Sequence, residues 1–210
     1  MSHTESVMQS HHIILFDLDG TLFNTGGAFV PKVENSLAIA LGITNQEVRA
    51  FTLEHIASLI NVIFFDPDIY LAGMAAKYGK QTQQLQNIFY NPELYTAAVF
   101  PEVPTVLDSL KGTYKVGVFS QGLPTWQRKK LDLAGLTPLF DQELLFIAQR
   151  KTTTAYLEKL PRPCIIIDDN QEVITRLQNQ PDIAPIFLDR PQTSGISTSI
   201  ANLTQVLELV

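Results

Sequence analysis

The sequence predicts an α/β protein, a doubly wound parallel sheet whose first strand is followed by an all-helical insert. Three observations carry this. Short apolar runs recur at Ile13-Ile14-Leu15-Phe16, Val116-Gly117-Val118-Phe119 and Cys164-Ile165-Ile166-Ile167, and each ends on a polar residue. Runs of that length, rich in Ile and Val, suit strands covered on both faces, which is the condition of a parallel sheet. From Val103 onward such runs alternate with helical patterns, whereas residues 29–90 show helical patterns and no strand pattern.

In chain order, the first run delivers Asp17. The insert then reads as helices over Val33 to Leu41, Gln46 to Phe64, Ile69 to Tyr78 and Thr82 to Phe89. Gly42, Asp66-Pro67 and Gly79 separate them by ordinary turn chemistry. Within it, Leu59, Ile60, Val62, Ile63, Phe64 and Phe65 are more apolar than one helical face needs. They are expected to form the insert's own core, the alternative being a surface facing the active site or a second subunit. Val103, Val106, Leu107 and Leu110 recur at helical spacing. The second apolar run delivers Ser120. Pro124 stands at a first helical turn, and Ala134-Gly135 ends that helix. Leu144 to Ala148 and Ile183 to Leu188 are weaker strand candidates on either side of the third run. Thr153 to Leu160, Glu172 to Leu177 and Ile200 to Leu209 complete the expected helices. The sheet-bearing part is thus assigned to residues 1–25 and 99–210, and the helical part to 26–98.

At 210 residues and 45% apolar, the chain can bury one substantial core and a smaller accessory domain. Charged residues make up 17% and the net charge is −6, which argues against a nucleic acid partner, since phosphates are neutralised by clustered Lys and Arg. The basic cluster Arg128-Lys129-Lys130 is read as the solvated face of a helix. The single cysteine, Cys164, excludes an internal disulfide and lies in an apolar run, as a small buried hydrophobe does. Met1 to His11 is polar and lacks a signal-peptide core, and no window approaches the ~18 apolar residues of a membrane span. A cytoplasmic protein without a membrane partner is expected.

The residues with chemistry sit at the strand ends, where parallel sheets bind ligands. The first run opens into Asp17-Leu18-Asp19-Gly20-Thr21-Leu22, two carboxylates beside a glycine that frees the backbone to turn. Taken alone this pattern also fits an acidic turn, although the further oxygen ligands of an EF-hand loop are missing. Ser120 brings a hydroxyl next to Gln121 and Gly122, whose backbone N–H groups suit phosphate oxygens. Lys151 stands at the start of an expected helix, where ammonium and helix end both favour an anion. Asp168 and Asp169 follow the third run. A turn serine, a surface lysine and an acidic helix cap account for each feature singly. Their succession around one sheet edge is harder to explain that way.

In this order the motifs resemble those of the haloacid dehalogenase superfamily of phosphohydrolases, from about Ile13 to the end of the chain. Asp17 to Thr21 matches its Asp-x-Asp-Gly-Thr motif, Ser120 the second motif, Lys151 the third and Asp168-Asp169 the fourth. Phe100-Pro101-Glu102-Val103 also looks like the family, and the helical insert resembles its cap domain beside a Rossmann-like core. Gln121 stands where many members have Asn, and threonines follow Lys151 where Pro is frequent. Asp168 replaces a common Gly, and the further acid beyond the fourth motif is absent unless Glu172 substitutes.

The resemblance implies a phosphatase for a small phosphorylated metabolite. Asp17 would attack phosphorus, Asp19 would act as acid and then base, and Mg²⁺ would bind Asp17, the Asp19 carbonyl and Asp169. Ser120, Gln121 and Lys151 would hold the phosphate, with Asp168 in support. Asp19 favours phosphatase or phosphomutase over dehalogenase chemistry. A phosphomutase, or a binding protein that kept only the fold, are the alternatives.

Overall fold

The computed structural model describes residues 12–194, 196 and 199–210, so the expectation for Met1 to His11 lies outside the described residues. The chain begins with β1 (Ile13–Phe16) and, after a short π-helical turn at Thr25–Phe29, continues through α1 (Val30–Leu41), α2 (Asn45–Ser58), α3 (Pro67–Tyr78), α4 (Thr82–Phe89) and α5 (Pro92–Thr96). Then follow α6 (Val103–Leu110), β2 (Lys115–Gln121), α7 (Pro124–Leu133), β3 (Leu145–Ala148) and α8 (Thr154–Leu157). β4 (Cys164–Asp168), α9 (Gln171–Leu177), β5 (Ile183–Phe187) and α10 (Val206–Leu209) complete the chain. Among the described residues no helix is long and apolar enough to cross a membrane.

The five strands form one parallel sheet in the order β3-β2-β1-β4-β5. Period-two alternation divides their side chains between two layers. Ile14, Phe16, Val116, Val118, Ile165 and Ile167 join one apolar cluster with α6, α7 and the C-terminal residues Leu203 and Val206. Leu15, Phe119, Cys164 and Ile166 join the other with Leu157, Val173 and Leu177. Burial on both faces explains why these strands read as continuous apolar runs instead of alternating ones. Gly117 is needed inside β2, because a Cβ there would collide with the carbonyl of Leu144. Strand order reverses between β1 and β4, so the carboxyl ends of these two strands flank the switch point where α/β sheets bind ligands.

Among the described residues no strand lies within 29–90. The helices there are capped by ordinary means: Thr44 and Glu47 form a capping box at α2, and Asp66 accepts from the first amides of α3. Their buried side chains, Phe29, Leu37, Tyr70, Met74, Leu85 and Phe89 among them, belong to the same apolar cluster as one sheet face.

Three expectations about elements are corrected. The helix expected over Gln46 to Phe64 ends at Ser58. Leu59 to Asn61 is extended or bent, and Asn61 caps a separate 3-10 turn at Val62–Phe64. The apolar stripe is therefore not the insert's core: Ile60 is 94% exposed, while Val62, Ile63 and Phe65 line a cavity described below. Lys151 does not open a helix, because α8 starts only at Thr154 and Lys151 occupies the preceding turn. Ile200 bridges to Leu188, leaving only a short terminal helix from Val206.

Candidate active site

Asp17 is the first residue beyond β1, and its amide donates to Ile167 O of β4 at 2.9 Å, so the ladder itself fixes where its side chain leaves the sheet. Asp168 ends β4 and Asp169 follows it. One carboxylate oxygen from each of Asp17, Asp168 and Asp169 lies within 4.8 Å of the others. Lys151 Nζ donates to Asp17 Oδ1 at 2.5 Å, Asp168 Oδ2 at 2.6 Å and Phe119 O at 3.1 Å, which uses all three ammonium donors. Asp17, Lys151 and Asp168 are buried.

The protonation preferences follow from this crowding. Burial pushes the Asp17 carboxyl up to about 7 despite Lys151, with Asp168 and Asp19 adding to the rise. Burial also raises Asp168, against the pull of Lys151, and pushes Asp169 up to about 6, helped by Asp17. For Lys151, burial works downward, but Asp17 and Asp168 outweigh it and hold the ammonium above its usual range. One lysine cannot neutralise three carboxylates. The donor set is all oxygen, compact and short of positive charge, and it fits a hard divalent cation.

The loop that follows is pinned from several sides. Gly20 has φ of 86°, and a Cβ there would collide with the Asp169 carboxylate, so only glycine lets the two strand ends approach. Thr21 Oγ1 donates to Asp169 Oδ1 at 3.1 Å. Arg190, after β5, donates to the carbonyls of Gly20 and Thr21 at 3.2 and 2.6 Å and pairs with Glu102 at 2.7 Å. Nothing local to Arg190 signalled this role, because its partners lie about 90 and 170 residues away.

Asp19 faces a different environment. Lys130 Nζ donates to both of its oxygens, at 2.6 and 2.7 Å. Gln127 Nε2 donates at 3.0 Å, and the Thr25 hydroxyl also donates to it. Burial works to raise Asp19, but the Lys130 charge and these hydrogen bonds outweigh it and hold the carboxyl below its ordinary value. Here the reading of Arg128-Lys129-Lys130 as a solvated face is corrected for Lys130 alone, since Arg128 and Lys129 are exposed. Lys130 is only 4% exposed, on the inner face of α7. Lys129 lies over the Tyr90 ring at 3.2 Å from its centroid.

Ser120 is buried within β2, and its Oγ has no hydrogen-bond partner among the described residues. A buried hydroxyl without a partner is costly unless something else satisfies it, and a ligand oxygen is one such partner. Gln121 ends β2, and its side-chain oxygen accepts from the Lys151 amide at 3.3 Å, bracing the turn that carries the lysine. The fourth-motif acids do not cap α9. Asn170 does so through Glu172 N and Val173 N, while Asp168 accepts from Asn170 N at 2.9 Å. Glu172 is turned to Arg176 at 2.8 Å and takes no part in the cluster. Cys164 is fully buried, and burial pushes its thiol up to about 12, consistent with a packing role.

Above Asp19 opens a cavity of about 440 Å³. Its lining runs from Asp19 and Gln121-Gly122 at the strand ends to α1, α2, α3 and α4 and to Trp126 of α7. It is the place where the helices of 29–90 meet the sheet edge.

Comparison with known proteins agrees with this geometry. A family model described as "Hydrolase: haloacid dehalogenase-like hydrolase" matches residues 11–178. A curated phosphoglycolate phosphatase of Aquifex aeolicus (strain VF5) is 28% identical over 135 residues, 61% of this chain and 58% of that relative's length. A HAD phosphatase from Thermococcus onnurineus superposes with a TM-score of 0.62 at 19% identity, covering 93% of this chain and 96% of that one. L-2-haloacid dehalogenase from Xanthobacter autotrophicus gives 0.55 at 17% identity, covering 94% and 88%. At these identities the structural likeness speaks for the fold, and it is shared by phosphatases and dehalogenases alike.

Proposed function

The chain belongs to the haloacid dehalogenase-like hydrolase family, and within it we propose a magnesium-dependent phosphatase that hydrolyses a small phosphate monoester through an aspartyl-phosphate on Asp17. The observation that carries this is the charge imbalance at the sheet edge: Asp17, Asp168 and Asp169 converge within 4.8 Å around one lysine. Such a cluster suits a cation, and a cation suits a phosphate dianion approaching a carboxylate nucleophile. The name of the curated relative points the same way.

In this reading Asp17, Asp169 and the Asp19 carbonyl would hold Mg²⁺, which would supply charge neutralisation between nucleophile and phosphate. Asp17 attacks phosphorus in line, and the ester oxygen leaves with a proton from Asp19. Asp19, now ionised, takes a proton from a water, and that water attacks the phosphorus of the acyl phosphate. Inorganic phosphate leaves and Asp17 is regenerated. Lys151 orients Asp17 and adds positive charge beside the transferring group. Ser120 Oγ donates to a phosphate oxygen, Gln121 braces the Lys151 turn, and Asp168 orients Lys151. The acid half-step requires Asp19 to part from Lys130, because the pair as it stands favours the carboxylate. Residues 1–25 and 99–210 form the catalytic core in this proposal, and 26–98 a helical cap that covers the cavity.

The test is phosphate release from a panel of monoesters with Mg²⁺ and with EDTA, for the wild type and Asp17→Asn. Release that needs both Mg²⁺ and Asp17 supports the proposal. Release that is indifferent to either contradicts it.

A further inference from the structure

We propose that the cavity above Asp19 receives an uncharged, apolar alcohol moiety, preferably aromatic, and rejects esters whose alcohol part carries a second anion; this rests on the phosphatase reading above. The cavity is continuous with the candidate site, since Asp19, Gln121 and Gly122 belong to its wall. The remaining wall is dominated by Phe29, Val33, Ile63, Phe65, Phe89 and Trp126. Aromatic rings there contact one another edge-on or tilted: Phe29 with Phe89 at 5.8 Å and Phe89 with Trp126 at 5.5 Å. Such a surface gains most from a ring of similar character. A cavity of roughly 150 Å³ already holds benzene, and this one measures about 440 Å³.

The charged groups on the wall decide against an anionic leaving group. They are Asp19, Glu34 and Lys130. Lys130 is engaged by both oxygens of Asp19, so among the described residues no free cation faces the cavity. Glu34 is paired with Arg49 at 3.2 Å from outside the wall, so it offers little to a cationic ligand either. Thr52 Oγ1 donates to Val48 O at 3.0 Å and lies 2.9 Å from Tyr70 OH, so both hydroxyl protons are engaged within the protein. A carboxylate in this space would lose its water against aromatic rings and face two acids. That is strongly unfavourable without a compensating partner. The curated relative is a phosphoglycolate phosphatase, whose substrate carries such a carboxylate. The inference therefore separates this chain from that relative in specificity while keeping the same chemistry.

Two measurements test it. Benzyl phosphate, phosphoglycolate and phosphoethanolamine are all esters of primary alcohols, so their intrinsic reactivities are comparable and kcat/KM reports the pocket. Benzyl phosphate is expected to exceed both others by about tenfold or more, and Ile63→Arg, which places a guanidinium on the wall, is expected to narrow or invert its lead over phosphoglycolate. Phosphoglycolate equal to or better than benzyl phosphate in the wild type would overturn the proposal while leaving the phosphatase reading intact. The second measurement does not depend on turnover. Trp126 is the only tryptophan of the chain and lies on the wall, so its fluorescence reports occupancy. Benzylphosphonate should change it saturably, and phosphonoacetate should do so only at far higher concentration. If no ester is hydrolysed yet benzylphosphonate alone binds, the phosphatase reading falls and the pocket assignment stands. Equal binding of the two phosphonates overturns the pocket assignment.

Discussion

Two walls face each other across Asp19, and they are built on opposite principles. At the sheet edge, Asp17, Asp168, Asp169 and Lys151 are packed into a small volume where burial shifts every one of their protonation equilibria. On the helical side, Phe29, Phe65, Phe89 and Trp126 present rings and almost no unspent charge. Crowded charge is poised to react and to bind a cation, but it says little about the alcohol part of an ester. An apolar wall selects by shape and by exclusion of charge, and contributes little to bond breaking. The difference teaches that reaction and specificity are separable here, so substitutions on the two walls should fail in different ways.

The largest expected effect is on the charged wall. Asp17→Asn keeps the shape of the side chain and removes the nucleophile, so kcat should fall by about 10³-fold or more with the fold retained. Retention of a sizeable fraction of the wild-type rate, in protein of checked purity and unchanged circular dichroism, would break the assignment of chemistry to this wall.

Next comes the cation. Asp169→Ala should raise the Mg²⁺ concentration needed for half-maximal activity far more than Glu172→Ala, whose side chain is turned to Arg176. Asp168→Ala should instead depress kcat through Lys151, because Asp168 holds that ammonium at 2.6 Å. The same acids carry a pH signature. Asp169 is held at about 6 in the folded state, above its unfolded value, so folding takes up a proton between the two values. The contribution of Asp169 to the stability of the metal-free protein is therefore greatest at low pH and is lost as pH rises through about 6. Melting temperatures in EDTA should drop between about pH 5 and about pH 8. Mg²⁺ should reverse the loss at the upper end, and Asp169→Asn should shrink the drop, leaving the part that Asp17 contributes near pH 7.

Smaller effects belong to the apolar wall and its border. Phe65→Ala should lower kcat/KM for benzyl phosphate by about tenfold, leaving the Mg²⁺ requirement untouched. If both change together, the two walls are not independent. At the border, Lys130→Met should let the Asp19 carboxyl rise, because the ammonium that holds it down is gone. The alkaline limb of the kcat profile, where the acid form of Asp19 is lost, should then move to higher pH, and Lys130→Arg should restore it. A profile that does not move would remove Asp19 from the acid role.

The two walls also differed in how far the sequence revealed them. Asp17, Ser120, Asp168 and Asp169 stood out because a continuous apolar run that stops on a polar residue marks the end of a doubly covered strand. Lys151 was visible by motif order, although it does not open the helix behind it, which starts three residues beyond it at Thr154. Lys130 was hidden in a basic triplet. Its burial depends on Asp19, 111 residues away in sequence, and no local pattern carries such a pairing. Arg190 was hidden for the same reason. On the apolar wall, Val62, Ile63 and Phe65 were visible as hydrophobic residues, yet periodicity alone could not say that they cover a cavity and not the interior of the helical layer. Asn61, a cap that starts a new turn, was the local sign that the helix had already ended.

The central claim is that Asp17 carries the phosphoryl group, and trapping it is the most direct test. Wild-type protein would be mixed with ³²P-labelled benzyl phosphate and Mg²⁺, quenched in acid during the first turnover, and digested for mass spectrometry. The account predicts a hydroxylamine-sensitive label on the peptide containing Asp17, absent from Asp17→Asn and absent when EDTA replaces Mg²⁺. Rapid phosphate release with no label on that peptide, or a label on another residue, would contradict it.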